Sequence, residues 1–382
     1  MASIDKLPSG RYRVRWRSTD NRPQSQSFAA KADANAFKRQ VEGELDAGIA
    51  ATAADRRLTV GGYVTRKGGW LDSRPWRPST REAFASHWRT HLEPRWGEVR
   101  LTAVRPTDVQ GWVNRLERSG LAPATVEALY RRLVTIMRAA NADGIIARQP
   151  LVNITLPHTV SRADRVHVPT AGQVAQIAEA MSERYAPLVW TIATLGLRPG
   201  EAVGLTTERV DFLRRTATID RQMSTIAGGP RLAPLKTKRM PSREIPVPAE
   251  LIDTLAAHLD AYPPIEAPEE HLRRAAHLIF ANNDGRPIRR NGLGWLWTNT
   301  AEKIGLPDEL RGWHCLRHYA ITRLISAGVN PDFVRQFAGH SNLTETMNTY
   351  AGWWPSDADN ARDVLSEALR PAQSEFRLTR RP

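Results

Sequence analysis

His314, His318 and His340, with Arg317 and Tyr350, bring three imidazoles, a guanidinium and a phenol into the stretch Trp313–Tyr350 of this 382-residue chain. In the run WHCLRH, His314, Arg317 and His318 stand at i, i+3 and i+4, the spacing that shares one side of a helix, while Leu316, Ala320 and Leu324 recur every four positions and define its core face. Free backbone amides in the first turns and the helix dipole favour an anion, and phosphate is the natural occupant. Zinc held by His314 and His318 is the alternative. Against it, Cys315 points about 100° away, no glutamate lies between the histidines and no third ligand is evident. Asn330 and Pro331 suit a helix start and Gly339 its stop, which presents His340 in a loop. Asn342 with Glu345 three positions on resembles a capping box, so a short helix is expected to carry Tyr350 away from that loop.

Two clusters upstream have matching chemistry. In TLGLRPGE (194–201), Gly196 ends one helix and Pro199 is suited to begin the next, so Arg198 sits in a tight connection, preorganised to fork onto two phosphate oxygens, with Glu201 placed to orient it. In LKTKRMPSREIPVP (235–248), read as a hairpin, Lys236 can reach into a groove and protonate a leaving oxygen; Lys238 and Arg239 compete for that role. Alone, each of these is an ordinary surface cation.

The elements that position these groups follow from periodicity. Residues 10–18 alternate, with Tyr12, Val14 and Trp16 on one face and Arg11, Arg13, Arg15 and Arg17 on the other; this predicts a strand, paired with residues 25–28 and covered by a helix over 32–45. The arginine face is either a groove-binding surface or a solvated edge. Small polar residues 47–57 form a linker, and 58–147 reads as helices. Ser79 is expected to cap a segment carrying Phe84, Trp88 and Leu92; residues 106–118 and 125–140 carry further core stripes, the second with Arg131, Arg132 and Arg138 opposite. Periodicity vanishes over 150–169. Thr170 then caps a helix to 182 and a second helix spans 187–195. Strand at 216–219, helix at 251–259, a proline-rich loop at 261–271 and a buried strand with an Asn-Asp-Gly turn at 277–288 complete the passage to Trp313.

Composition narrows the partners. The formal net charge is +14, which favours a polyanion, and residues 58–150 are the most basic for their length, with 15 basic against 8 acidic side chains. Charge alone does not separate nucleic acid from an acidic membrane. One cysteine excludes an internal disulfide framework and fits a reducing compartment, and no apolar run reaches membrane-spanning length or forms a signal segment. A soluble, intracellular protein is expected.

Taken in order, TLGLRPGE, KTKRMPSREIPV, WHCLRH, AGHSN and TMNTY resemble the motifs of the tyrosine recombinases, or phage-type integrases. The resemblance implies an α+β, mostly helical multidomain chain: a small N-terminal three-stranded sheet plus helix as an arm-type DNA-binding domain (1–55), a helical core-binding domain (58–150), a linker (151–168), a mixed α/β catalytic domain (169–360) and a C-terminal tail helix (361–382). It implies Arg198, Lys236, His314, Arg317, His340 and Tyr350 as catalytic, Glu201 as support to Arg198, and no metal or other cofactor. Arg11, Arg13, Arg15, Arg17, Arg131, Arg132 and Arg138 are the expected DNA-binding groups. Ala338 stands where the family usually has leucine and Cys315 where aspartate is frequent; a small Ala338 is expected to loosen packing beneath His340.

The implied activity is site-specific recombination through a covalent 3′-phosphotyrosyl link, integrating or excising a phage or mobile element. Implied partners are duplex DNA with attachment sites, a homo-tetramer on that DNA, a host DNA-bending protein and a directionality factor, with no membrane, in the bacterial cytoplasm and on the nucleoid. A topoisomerase-like nicking and resealing enzyme and a non-catalytic DNA-binding regulator on the same scaffold are the competing readings. The amphipathic tail is expected to dock on a neighbouring protomer or on its own catalytic domain.

Overall fold

A computed structural model describes residues 2–17, 23–46, 57–146, 149–158, 166–226, 229–235, 237, 239–267, 276–310 and 312–354. Lys236, Lys238, part of the expected linker and the whole tail helix lie outside these residues. The chain divides into two compact units, 1–159 and 160–382.

The first unit begins with an antiparallel sheet, β1 (Ser3–Lys6), β2 (Tyr12–Arg17) and β3 (Pro23–Phe28), in the order β1-β2-β3. Alternation along β2 buries Val14 and Trp16 against Ala34 and Val41 of α1 (Lys31–Asp46) and turns its arginines the other way. Helices follow: α2 (Val60–Thr65), α3 (Pro78–His87), a π-helical turn (Trp88–Leu92), α4 (Glu93–Trp96), α5 (Pro106–Arg118) and α6 (Pro123–Ala142). Ser79 is not a cap: Arg77 is the N-cap and Pro78 takes the first position, where its missing N–H costs nothing. The stripes of α5 and α6 pack with Phe84, Trp88, Trp96 and Trp112 into one apolar core.

The second unit opens with α7 (Ala171–Ala180), where Thr170 and Gln173 form a reciprocal capping box, followed by α8 (Ala186–Leu195). Gly196 ends α8 at φ +59°, and a Cβ there would stand 2.8 Å from the Phe337 ring, so both backbone and packing select glycine. The short α9 (Pro199–Ala202) leads to β4 (Val210–Asp211), β5 (Thr216–Ile219), β6 (Arg221–Ile226), β7 (Gly229–Pro234) and β8 (Arg243–Pro246). The hairpin expected within 235–248 is displaced: β6 and β7 form it over 221–234, and β8 pairs with β5 in a separate sheet of order β4-β5-β8. Period two did not distinguish a strand that returns locally from one that pairs across 24–30 residues. After α10 (Ala249–Ala261), β9 (Ile265–Ala267) pairs with β10 (Ala276–Leu278), so the expected loop at 261–271 contains a strand. The unit closes with α11 (Arg290–Ile304), α12 (His314–Ser326), α13 (Pro331–Ala338) and α14 (Leu343–Tyr350). Leu188, Ile192, Leu255 and Leu316 sit fully buried in its core.

Candidate active site

Arg198 is the N-cap of α9, and two of the five N–H groups of its guanidinium are committed: Nη1 donates to Glu201 Oε1 (2.8 Å) and Nη2 to the Gly339 carbonyl (3.0 Å). The other three have no acceptor among the described residues, and the side chain is 28% exposed. Glu201 reaches back to the Arg198 backbone N–H as well, so a four-residue helix fixes both ends of the pair.

Glu201 is itself buried, and the residue that pays for its charge is Arg243 on β8, whose Nη2 donates to Glu201 Oε2 at 2.7 Å. Arg243 Nε donates to the Phe337 carbonyl, and a Cβ on Gly339 (φ +66°) would meet Arg243 Nη1 at 2.8 Å. Burial opposes the Glu201 charge, but the Arg243 and then the Arg198 guanidinium outweigh it and hold the carboxyl at about 2.

On α12 the three polar residues part company instead of lining one anion site. His314 is exposed. Arg317 is buried, with Nη1 donating to the Gly196 carbonyl (2.7 Å) and Nη2 to the Ala338 carbonyl (2.6 Å) and facing His340 Nε2 (3.1 Å). Burial, then Arg198, lower its pKa to about 10, so it stays charged at neutral pH. His318 Nδ1 lies 2.7 Å from the Tyr350 hydroxyl.

His340 is not presented to solvent but is 6% exposed, between Arg317 and the Thr346 hydroxyl, which lies 2.8 Å from Nδ1. Burial and the guanidinium of Arg317 push its pKa down to about 3, so the ring is neutral; with Nε2 accepting from Arg317, Nδ1 carries the hydrogen donated to Thr346. Tyr350 is not carried away from that loop: α14 returns it so that the His340 and Tyr350 rings stack at 6.4 Å. The reason is the start of α14. Asn342 Oδ1 accepts from the Glu345 N–H, while the Glu345 carboxylate bonds Ser341, which folds the helix back onto α13. Burial raises the phenol pKa to about 12, opposed by Arg317 and Arg198, so both guanidiniums act on the hydroxyl.

The two departures noted in the motifs are accommodated. Ala338 is fully buried and its carbonyl anchors Arg317. Burial pushes the Cys315 thiol up to about 12, which leaves it inert. Arg243 and the His318–Tyr350 contact were missed from the sequence. Alternation along β8 carried the signal for Arg243, since it shares an inward face with Ile245 and Val247 and a buried guanidinium demands a carboxylate.

Of the expected DNA-binding arginines, Arg11, Arg15 and Arg17 are exposed and Arg13 is half-buried; Arg11 Nη2 reaches the Ser27 carbonyl (3.4 Å) and Arg15 pairs with Asp5 (3.1 Å). Arg131 pairs with Glu127 and Arg138 is exposed. Arg132 is engaged inside its own unit, donating to His87 Nδ1 (2.8 Å) with its guanidinium 5.5 Å from the centre of the Phe84 ring.

Two arginines, a neutral histidine and a tyrosine are thus held together from α9, α12, the turn after α13 and the end of α14. Residues 168–353 match the phage integrase family, and the chain is similar to tyrosine recombinases, which are site-specific DNA recombinases. It is 24% identical over 315 residues to a tyrosine recombinase XerC-like protein of Caldanaerobacter subterraneus subsp. tengcongensis, spanning 76% of this chain and 78% of that one. It is 26% identical over 364 residues to the integrase of Mycobacterium phage L5, spanning 93% and 91%. Its fold is similar to that of the Tn1549 transposon integrase in complex with transposon right end DNA, with a TM-score of 0.69 at 21% identity over 81% of this chain and 99% of that one. Among the described residues, no helix is long and apolar enough to cross a membrane.

Proposed function

We propose that this chain cleaves and rejoins duplex DNA at specific sites through a 3′-phosphotyrosyl intermediate on Tyr350, and thereby integrates or excises a phage or mobile element. The observation that carries the reading is the gathering of Arg198 and Arg317 on the consecutive carbonyls of Gly339 and Ala338 beside His340, whose ring stacks on Tyr350, with N–H groups of Arg198 left over for a phosphate. A phosphodiester resists attack by an oxygen nucleophile until its non-bridging oxygens are neutralised. Arg198 and Arg317 supply that neutralisation, fixing them before DNA arrives is where most of the rate enhancement resides, and His314 and His340 are assigned as hydrogen-bond donors to the phosphate in the DNA-bound state. Tyr350 attacks in line, Lys236 protonates the departing 5′ oxygen, and Glu201 holds Arg198 in register. The 5′ hydroxyl of another strand reverses the step, so the bond energy is conserved and neither ATP nor a ligase is needed.

The named relatives include a phage integrase and a transposon integrase, the second solved on DNA. In keeping with them, the partners are attachment-site DNA, a tetramer assembled on it, a host bending protein and a directionality factor, and the place of action is the bacterial nucleoid. Arg11, Arg13, Arg15, Arg17, Arg131 and Arg138 contribute phosphate contacts; Arg132 contributes by supporting α6. The domain limits 1–55, 58–150 and 169–360 with the 361–382 tail are part of the same proposal.

The test is a nicked suicide duplex carrying the core site, selected from a random duplex pool by binding. A covalent protein–DNA adduct with the native chain and none with Tyr350→Phe is expected; absence of any adduct overturns the enzymatic reading in favour of a DNA-binding regulator. Joint molecules from two duplexes separate recombination from nicking and resealing.

A further inference from the structure

We propose that His318 is a further catalytic residue, whose Nδ1 receives the phenolic proton of Tyr350 during attack and returns it when the link is reversed. The assignment rests on the recombinase reading and deepens it. The Tyr350 ring lies in an apolar cluster with Ile321, Ile325, Val334 and Ala338, and among the described residues its hydroxyl has one hydrogen-bond partner, His318 Nδ1 at 2.7 Å. The two rings meet edge to face at 5.6 Å, which sets the ring nitrogen against the oxygen and not above it.

The neighbouring bases are already committed. The Glu201 carboxylate is held by Arg243 and Arg198. The acceptor nitrogen of His340 is occupied by Arg317, and its other nitrogen by Thr346. His318 is neutral in the free protein, because burial and then Arg317 lower its pKa to about 4, so one of its ring nitrogens carries no hydrogen; the assignment makes that nitrogen Nδ1, with the hydroxyl as the donor. A bound phosphodiester brings negative charge beside Arg317, which removes part of that penalty and makes the imidazolium accessible only when substrate is in place.

The step balances without a further reagent. The Tyr350 Oη–P bond forms as the P–O5′ bond breaks, the phenolic proton moves to His318 Nδ1, and the departing oxygen takes a proton from Lys236. In the return step the attacking 5′ hydroxyl gives up its proton to Lys236, the Oη–P bond breaks, and the imidazolium reprotonates the tyrosine. Without DNA the same hydrogen bond keeps the nucleophile neutral and oriented.

The experiment measures single-turnover adduct formation on the nicked suicide duplex. His318→Gln keeps a hydrogen-bonding side chain but cannot accept the proton, and should slow adduct formation by at least about 100-fold, the low end for a general base, with DNA retention unchanged. Replacing the nucleophile by 3,5-difluorotyrosine, a more acidic phenol, should recover at least about 10-fold of that loss, a gain that damage to packing would not give. His318→Asn carries the same test if the glutamine variant does not fold. Adduct formation within about 3-fold of native, or no recovery with the fluorinated nucleophile, overturns the assignment. So does a proton on Nδ1 of His318 in nitrogen-15 spectra of the native DNA-free protein. A native chain that forms no adduct overturns the recombinase reading itself, and this assignment with it.

Discussion

Among the described residues, every buried polar or charged side chain lies in the second unit: Glu201, Arg243, His258, Arg317, His340 and several threonines. The first unit buries apolar and aromatic groups, with Trp70, Trp88, Trp96 and Trp112 prominent, and keeps its arginines at or near the surface. The two interiors are therefore stabilised differently. One is held by transfer of hydrocarbon from water and keeps its cations at or near the surface. The other takes cations out of water and offsets that cost with one carboxylate and the carbonyls of Gly196, Phe337, Ala338 and Gly339. Those carbonyls cluster at two helix ends, where a guanidinium finds acceptors that the helix cannot satisfy itself.

The contrast is tested most severely by cleavage. Arg198→Ala should abolish adduct formation on the suicide duplex while retaining most DNA affinity, because affinity is spread over many basic contacts; equal loss of both would dissolve the distinction between the units. Glu201→Ala leaves Arg243 buried and unpaired and should cost about 3–5 kcal/mol, read by hydrogen exchange in α8 and α12, because two units need not unfold as one. A cost under about 1 kcal/mol, the scale of an exposed pair, would show that this interior is not organised around the carboxylate. Leu129→Ala in α6 should cost about 2–5 kcal/mol by cavity formation alone, with no change in the response of stability to pH.

Acid should separate the units further. His318 and His340 have folded pKa values of about 4 and about 3, below the ordinary 6.5. The unfolded chain therefore binds more protons as pH falls below 6.5, and the stability these rings contribute is fully present above that value and drains away toward the folded values. Glu201, at about 2 against 4.5, adds a second loss below pH 4.5. Protection of amides in α12 and α13, relative to the intrinsic exchange rate at each pH, should fall between pH 7 and 5 more than protection in the core of α6; the reverse order would contradict the burial of neutral imidazoles. The smallest effects are expected at Arg131→Ala and Arg138→Ala, within about 0.5 kcal/mol in stability, each lowering the salt dependence of DNA binding by about one unit of slope. An unchanged slope would remove that residue from the phosphate contacts.

Much of the scaffold was legible in the sequence because local rules acted alone. The stripes of α5 and α6, the Thr170 cap, the Gly196 and Gly339 stops and the alternation of β2 each follow from a few neighbouring residues. Of the candidate site, the residue types and their order were legible, down to Glu201 one turn from Arg198. Partners separated by long stretches of chain were not. Arg243 meets Glu201 across 42 positions, Arg317 meets the Gly196 carbonyl across 121, and Arg198 meets the Gly339 carbonyl across 141. Local spacing grouped His314, Arg317 and His318 on one face, yet the fold sends the first to solvent, the second inward and the third to a tyrosine 32 residues later.

By itself, then, the sequence determined which titratable groups this protein carries and much of the local structure around them, since composition, caps and periodicity are properties of short stretches. The tertiary structure decided which groups act on one another. Burial and long-range pairing set the charge of Glu201, the neutrality of His318 and His340 and the partner of the Tyr350 hydroxyl, because desolvation and Coulomb interactions depend on distance through space and not along the chain.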